Sequence, residues 1–183
     1  AFKEAGAAQL NRSQLDRLTA EAFTDSKDAG GCSHAVLNRD LIGKDASDLA
    51  RVAGISVGSG TEMLFAETDP DHPYVMEEQM MPMVPVVRVP SVERGIELAK
   101  SAEHGYKHSS IIHSLNVDHM TAMARALDTT LFIKNGPCTA GLGLGGEGYL
   151  SYSIATTTGE GITTPKTFTR TRRCVMVDTL RIY

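Results

Sequence analysis

Residues 83–135 read "MVPVVRVPSVERGIELAKSAEHGYKHSSIIHSLNVDHMTAMARALDTTLFIKN", and this stretch decides the fold class. "MVPVVRV" is an apolar strand candidate whose prolines belong towards its ends or at a sheet edge, because proline has no N–H to give to a ladder. "SVERGIELAKSAEH" follows as an amphipathic helix, with Ser91 as its cap, Ile96, Leu98 and Ala99 facing inward, and Gly105 as its stop. "SSIIHS" is a second strand. "NVDHMTAMARALD" is a helix capped by Asn116 that carries Met120, Met123, Ala124 and Leu127 on one side, and "TTLFIKN" is a third strand. Strand, helix, strand, helix, strand over residues 84–134 implies βαβ crossovers and a largely parallel α/β layer.

Working outward, "EMLFAET" (62–68) is another strand, and "DPDHP" (69–73) supplies turn residues that end it. Further upstream, Asp45 precedes "ASDLARVAGI" with Asp48 three positions on, a carboxylate variant of a capped helix start, and Gly54 ends that helix. Ser13 caps "QLDRLTAEAF", where Leu15, Leu18, Ala22 and Phe23 recur at helical spacing through residue 23. "TDSKDAGGCSH" (24–34) then reads as a loop. Downstream of Asn135, "GPCTAGLGLGGEG" is a glycine-rich loop, "YLSYSIATTT" is β-prone and "GEGITTPK" is a further loop. "TFTRTRRCVMVDTLRIY" closes the chain with partly alternating polar and apolar residues, and no helix is predicted in this last third. There is no internal repeat and no low-complexity tail.

The totals fit this picture. The chain has 183 residues, enough for one domain with a real core or for a piece of something larger. A net charge of -4 and a pI near 5.9 give no general attraction to nucleic acid or an anionic membrane. No apolar run approaches the roughly 20 residues that span a bilayer, and the opening "AFKEAGAAQL" has no secretory h-region, so a cytoplasmic location is the default expectation. Cys32, Cys138 and Cys174 lie far apart and form no CxxC pair, which reads as reduced thiols rather than a zinc module or disulfide framework. The chain begins without methionine in the middle of a helical passage, and a fragment or processed chain is expected.

Several motifs have a functional and a plain reading. Gly141, Gly143 and Gly146, and again Gly143, Gly145 and Gly148, match G-x-G-x-x-G. A dinucleotide site must also open a helix whose free N–H groups meet the pyrophosphate, whereas here Tyr149, Tyr152, Ile154 and three threonines favour a strand. The glycines read better as a loop that allows close backbone approach. His104, His108, His113 and His119 are spaced by four, five and six across a loop, a strand and a helix, so they cannot share one helical face as a metal pair, and no metal site is expected. His108 stands where a strand begins, and its residue type alone leaves it structural or catalytic. Glu77 and Glu78 alone read as a solvated turn. Arg170, Arg172 and Arg173 suit a phosphate; by alternation, Arg170 and Arg172 would instead share one face of an edge strand guarded by positive charge.

Taken in order, "HPYVMEEQMMPMVPVVRV", "HSSIIHS", "LFIKNGP" and "GLGGEGY…TGEGIT…FTRTRRCVMVD" resemble the C-terminal part of the aldehyde dehydrogenase superfamily. The nearest likeness is to the CoA-acylating acetaldehyde and propionaldehyde dehydrogenases of bacterial ethanolamine and propanediol utilisation. "EEQMMP" holds the place of the superfamily's E-x-F-G-P segment, with Met80 where phenylalanine is common and Met81 where glycine is common. Both departures fit the acylating branch. The resemblance implies an α/β fold: residues 1–165 as the C-terminal part of the catalytic domain and 166–183 as a β oligomerisation arm, with a homo-oligomer, dimer or tetramer, in the full-length protein.

The resemblance also implies roles. Glu78 matches the glutamate that accepts from the nicotinamide ribose hydroxyls, a task for which a carboxylate has two acceptor oxygens. Met80 would pack near the nicotinamide. His108 resembles a histidine near the reaction centre, able to move a proton or orient the thiol of CoA. Asn135, Gly136 and Pro137 would line the aldehyde pocket. The implied reaction converts a short aliphatic aldehyde, NAD and CoA to acyl-CoA and NADH through a cysteine thioester. None of the three cysteines matches the nucleophile, which in the family precedes the first helix of this chain, so the chain alone is expected to be inactive. A hydrolytic aldehyde dehydrogenase and a non-catalytic assembly module are the competing expectations. A bacterial microcompartment is a further location that the resemblance brings in.

Overall fold

A computed structural model describes residues 1–27, 33–145, 150–152, 161–175 and 177. The chain forms two compact units, Ala1–Leu98 and Ala99–Tyr183.

In the first unit, β1 (Ala8–Gln9), β4 (Leu64–Glu67) and β5 (Met83–Val86) form a parallel sheet in the order β1-β4-β5. β5 lies at the end of that order, which is why Pro85 is tolerated opposite Ala66. Helix α1 (Arg12–Ala22) buries Leu15, Leu18 and Ala22, and α2 (Ala46–Val52) buries Ala46, Leu49 and Ala50 against the same core as Leu64 and Met83. The short α3 (Pro73–Met76) adds Tyr74, whose ring meets Phe23 edge to face at 4.8 Å. Burial raises the Tyr74 phenol above its ordinary range.

Three expectations need correction here. The cap of α1 is Asn11, not Ser13: Asn11 Oδ1 accepts from Gln14 N at 3.0 Å and Gln14 Oε1 accepts from Asn11 N at 2.8 Å. This is a reciprocal capping box with an amide on each side. Asp45 holds the cap position of α2, but its side chain makes no cap bond. The predicted loop at 24–34 is instead a hairpin, β2 (Phe23–Lys27) paired antiparallel with β3 (Ser33–Leu37) from Phe23↔Leu37 to Lys27↔Ser33. "FTDSK" has no apolar alternation, so only its cross-strand partner makes it a strand. The residues joining the two strands, 28–32, which include Cys32, lie outside the described residues.

In α3, His72 is the N-cap, and its Nδ1 accepts from Tyr74 N at 3.3 Å. Burial, then the charge of Arg12, lowers the His72 pKa, against the opposing pull of Asp16, Asp69 and Asp71. Folding therefore favours neutral imidazole. The stability it contributes is present above about pH 6.5 and is lost as the pH falls below that value, when Nδ1 takes a proton and stops accepting. His72→Asn keeps an acceptor that does not titrate. Between pH 7.5 and 5 the wild-type chain should lose thermal stability relative to this variant, and parallel melting curves would refute the capping role.

The second unit is built on β6 (Ser109–Ile112), α5 (Val117–Leu127) and β7 (Leu131–Lys134), with β6 and β7 parallel from Ser109↔Leu131 to Ile112↔Lys134. α5 is capped as predicted, Asn116 Oδ1 accepting from Asp118 N at 2.9 Å and His119 N at 3.2 Å. Among its described residues Met123, Leu127, Leu131 and Ile133 are buried and apolar, and Ser110 bonds to Thr129 at 2.7 Å. Helix α4 (Val92–Ala102), in which the division between the units falls, starts on Ser91, whose Oγ accepts from Arg94 N at 3.2 Å. It buries no residue fully; Ile96, Leu98 and Ala99 are half-buried. The predicted β-α-β-α-β run is thus divided between two sheets, β5 pairing with β4 and β6 with β7.

Among the described residues of the last third there are one helical turn, α6 (Cys138–Gly141), and a 3₁₀ turn at Pro165–Phe168, a region in which the sequence predicts no helix. Gly141 sits where a Cβ would come within 3.1 Å of Ile133, so its lack of a side chain lets α6 lie on β7. The helical turn ends at the first glycine of the G-x-G-x-x-G pattern instead of starting after it, and Gly146 and Gly148 lie outside the described residues. Of the β-prone stretch only Leu150–Tyr152 is described, without a strand, and 169–175 of the terminal arm also lacks regular structure. The rest of both segments, apart from Val177, lies outside the described residues.

Candidate active site

Glu78 and Met80 lie on the loop between α3 and β5. Gln79 spans this loop: its Oε1 accepts from Met81 N at 3.0 Å and its Nε2 donates to Met83 O at 3.0 Å. The Met80 carbonyl accepts from Gly43 N at 2.9 Å. With Met81 turned into the core at 8% exposure, the neighbours on the other parity face water: Glu78 is exposed and Met80 is 63% exposed. Glu77 is also exposed. The resemblance singled out Glu78, with Glu77 as a turn residue; the Gln79 bonds had no sign in the sequence, because their partners are backbone groups of its own loop. A polar cleft of about 510 Å³ adjoins, with Gly43, Lys44, Thr61, Glu62 and Pro82 in its wall.

His108 immediately precedes β6 and is exposed. Its N–H donates to Glu103 Oε1 at 2.9 Å, its carbonyl accepts from Leu131 N at 3.1 Å, and its Nδ1 lies 2.6 Å from Ser109 Oγ. Both the main chain and Nδ1 of the ring are therefore tied.

Asn135 follows β7 with φ 55°, in the left-handed region. Its Oδ1 accepts from Ser114 N at 2.8 Å, its Nδ2 donates to Ser114 O at 2.8 Å, and its own N–H donates to Ile112 O at 2.9 Å. The amide thus copies a rung of the ladder beyond the last residue of β6. Gly136 is half-buried, and Pro137, exposed, holds the cap position of α6. In this parallel pair His108 sits at the start of the strands and Asn135 to Pro137 beyond their ends, so the structure does not bring them together. Among the described residues no three His, Cys, Asp or Glu side chains converge to hold a metal ion. Cys138 and Cys174 are exposed free thiols, and Arg170, Arg172 and Arg173 are exposed.

Asn135→Ala removes both bonds to Ser114 and leaves a β-carbon in the left-handed region, a combined cost of about 2–3 kcal/mol. Asn135→Gly should recover about 1 kcal/mol of this by removing the backbone strain alone. Urea midpoints that are equal for the two variants would show that the backbone conformation there costs nothing.

The sequence and fold as a whole place the chain in a class. No protein-family model matches the chain. The acetylating acetaldehyde dehydrogenase of Salmonella typhimurium is 46% identical over 176 residues, which cover 96% of this chain and 37% of the relative. The propionaldehyde dehydrogenase of Rhodopseudomonas palustris, solved with bound propionyl-CoA, superposes with a TM-score of 0.84 at 41% identity, over 96% of this chain and 37% of the other. That from the fucose utilisation microcompartment of Clostridium phytofermentans gives 0.83 at 42% identity over 98% and 39%. An engineered glycolyl-CoA reductase with bound NADP+ gives 0.84 at 41% identity over 96% and 38%. Along nearly its whole length the chain is homologous to CoA-acylating aldehyde dehydrogenases, and it spans about two fifths of their length.

Proposed function

We propose that this chain is the part of a CoA-acylating aldehyde dehydrogenase that grips the nicotinamide ribose and completes the acyl-transfer end of the site. The full-length protein then oxidises a short aliphatic aldehyde such as acetaldehyde or propionaldehyde and passes the acyl group to CoA. The observation that carries the reading is the 46% identity with an acetylating relative across 96% of the chain.

The residues fit the nicotinamide cofactor. A solvent-facing carboxylate on a braced loop offers two acceptors to two ribose hydroxyls, and the 63% exposed Met80 offers a polarisable apolar surface to a flat ring. When bound, the cofactor accepts a hydride. A cysteine thiolate from outside this chain adds to the aldehyde carbonyl, and loss of the hydride from the resulting thiohemiacetal leaves a thioester. His108, with its ring tied to Ser109, takes the proton from the thiol of CoA as that sulfur attacks the thioester carbonyl and the cysteine thiolate leaves. The turn Asn135-Gly136-Pro137, beyond the far ends of the strands that His108 precedes, is assigned to the aldehyde pocket by the resemblance and not by proximity to His108. Its asparagine acts there by fixing the backbone, since both polar ends of its amide are bonded to Ser114.

Phe168, Val175 and Val177, each about 80% exposed, support an arm that packs on a neighbouring subunit of a homo-oligomer. No helix among the described residues is long and apolar enough to cross a membrane, and the Clostridium relative supports work inside a microcompartment in the cytoplasm.

NADH formation from propionaldehyde by the full-length protein, with and without CoA, tests the reading. Formation that needs CoA, with propionyl-CoA as product, is expected. CoA-independent turnover to propionate would replace it with a hydrolytic enzyme, and no turnover under either condition would leave an assembly role.

A further inference from the structure

We infer that Gln79 is a positioning residue for the cofactor, acting through Glu78 and Met80. The inference rests on the ribose-binding reading of Glu78. Gln79 is the residue between the two proposed contacts, and its side chain turns away from them. One amide closes the loop on itself, taking Met81 N–H on Oε1 and giving Nε2–H to Met83 O. Met83 belongs to β5, the end strand of the described sheet, so this second bond fastens the loop to the rigid part of the unit. Leu64 N donates to Pro82 O at 2.8 Å and Gly43 N to Met80 O at 2.9 Å, which hold the same loop from two further sides. The span from 79 to 83 is thus tied at several points, with Met81 and Met83 inward at 8% and 1% exposure, Met80 outward, and the exposed Glu78 shortly before it.

An exposed carboxylate held in one orientation binds a diol more tightly than one that must be ordered at binding, because the ordering cost has been met during folding. Met81 N–H and Met83 O are partners that a hydrophobic residue of similar length cannot replace. Without them the loop backbone next to the glutamate is less constrained, even though the core beneath is unchanged.

The test uses the full-length enzyme and three variants, Gln79→Met, Glu78→Gln and the double variant. Methionine keeps the length and apolar stem and removes both bonds. Gln79→Met should raise KM for NAD about tenfold, the worth of one to two lost hydrogen bonds. KM for propionaldehyde and for CoA should stay where they are, and the melting temperature should stay close to that of the wild type. Because Gln79 acts through Glu78, the double variant should be no weaker for NAD than Glu78→Gln by more than the small part owed to Met80. If Glu78→Gln weakens NAD and Gln79→Met does not, or if the two losses simply multiply, the positioning role is overturned and the ribose role stands. If Glu78→Gln leaves NAD binding unchanged, the ribose role falls and the inference with it. Should Gln79→Met fail to fold, Gln79→Glu decides on the same terms: it keeps an acceptor for Met81 N–H, loses the donor to Met83 O, and should give a smaller rise in KM for NAD, with an unchanged KM counting against the role.

Discussion

His108→Ala in the full-length enzyme is expected to slow acyl transfer to CoA about 100-fold, the usual scale for losing a positioned acid–base group. The first-turnover burst of NADH, which precedes CoA attack, should survive. Global unfolding would not account for such a loss. The residue is exposed, and its backbone bonds to Glu103 and Leu131 are made by its own N–H and C=O, which alanine retains. What alanine removes is the ring whose Nδ1 lies 2.6 Å from Ser109 Oγ. Rapid mixing with a limiting amount of enzyme separates the burst from the steady rate. A variant with both phases unchanged would make the histidine structural, and loss of the burst as well would move its role to an earlier step.

The second large effect concerns the scaffold. Leu18→Ala should destabilise the chain by about 3–5 kcal/mol. Leu18 has 0% exposure in the core shared by α1, α2 and β4, and alanine leaves a cavity bounded by residues that cannot all collapse into it. Against a typical total of about 5–15 kcal/mol this is a large share, so part of the population should unfold on modest warming. Glu21→Ala, on the exposed side of the same helix, should change stability by no more than about 0.5 kcal/mol. A similar urea midpoint for the two variants would mean that α1 is not packed as described.

Periodicity made much of this frame legible. Leu64–Glu67, Ser109–Ile112 and Leu131–Lys134 are short apolar runs bounded by turn residues, and Ser91 and Asn116 are caps whose side chains bond as their residue types suggest. The hairpin from Phe23 to Leu37 was hidden because polar residues fill its first strand and the ladder depends on a partner beyond the intervening residues. Asn11 and Ser13 are both good caps by residue type, and only the reciprocal bond to Gln14 separates them. The candidate site was legible in part. Its residue types were visible through resemblance, whereas the bond from Gln79 to Met83 and the clamp of Asn135 on Ser114 join a side chain to a backbone group that no pattern of residue types marks. The separation of His108 from Asn135 along the β6–β7 pair follows from the parallel register, which fixes the start of one strand against the start of the other.

The Asn135 clamp also bears on how the second unit avoids misassembly. A two-stranded parallel pair of four rungs is held in place mainly by which residues face the core, and that criterion repeats every second residue. Leu131 and Ile133 would face inward equally well if β7 slid by two positions along β6. The apolar pattern therefore rejects odd shifts and accepts even ones. The side-chain amide of Asn135 meets the N–H and the C=O of Ser114 together, and a shift of two would carry it to Ile112, inside β6, or to Asn116, the cap of α5, so Asn135 acts as an index mark that favours one even offset over the others.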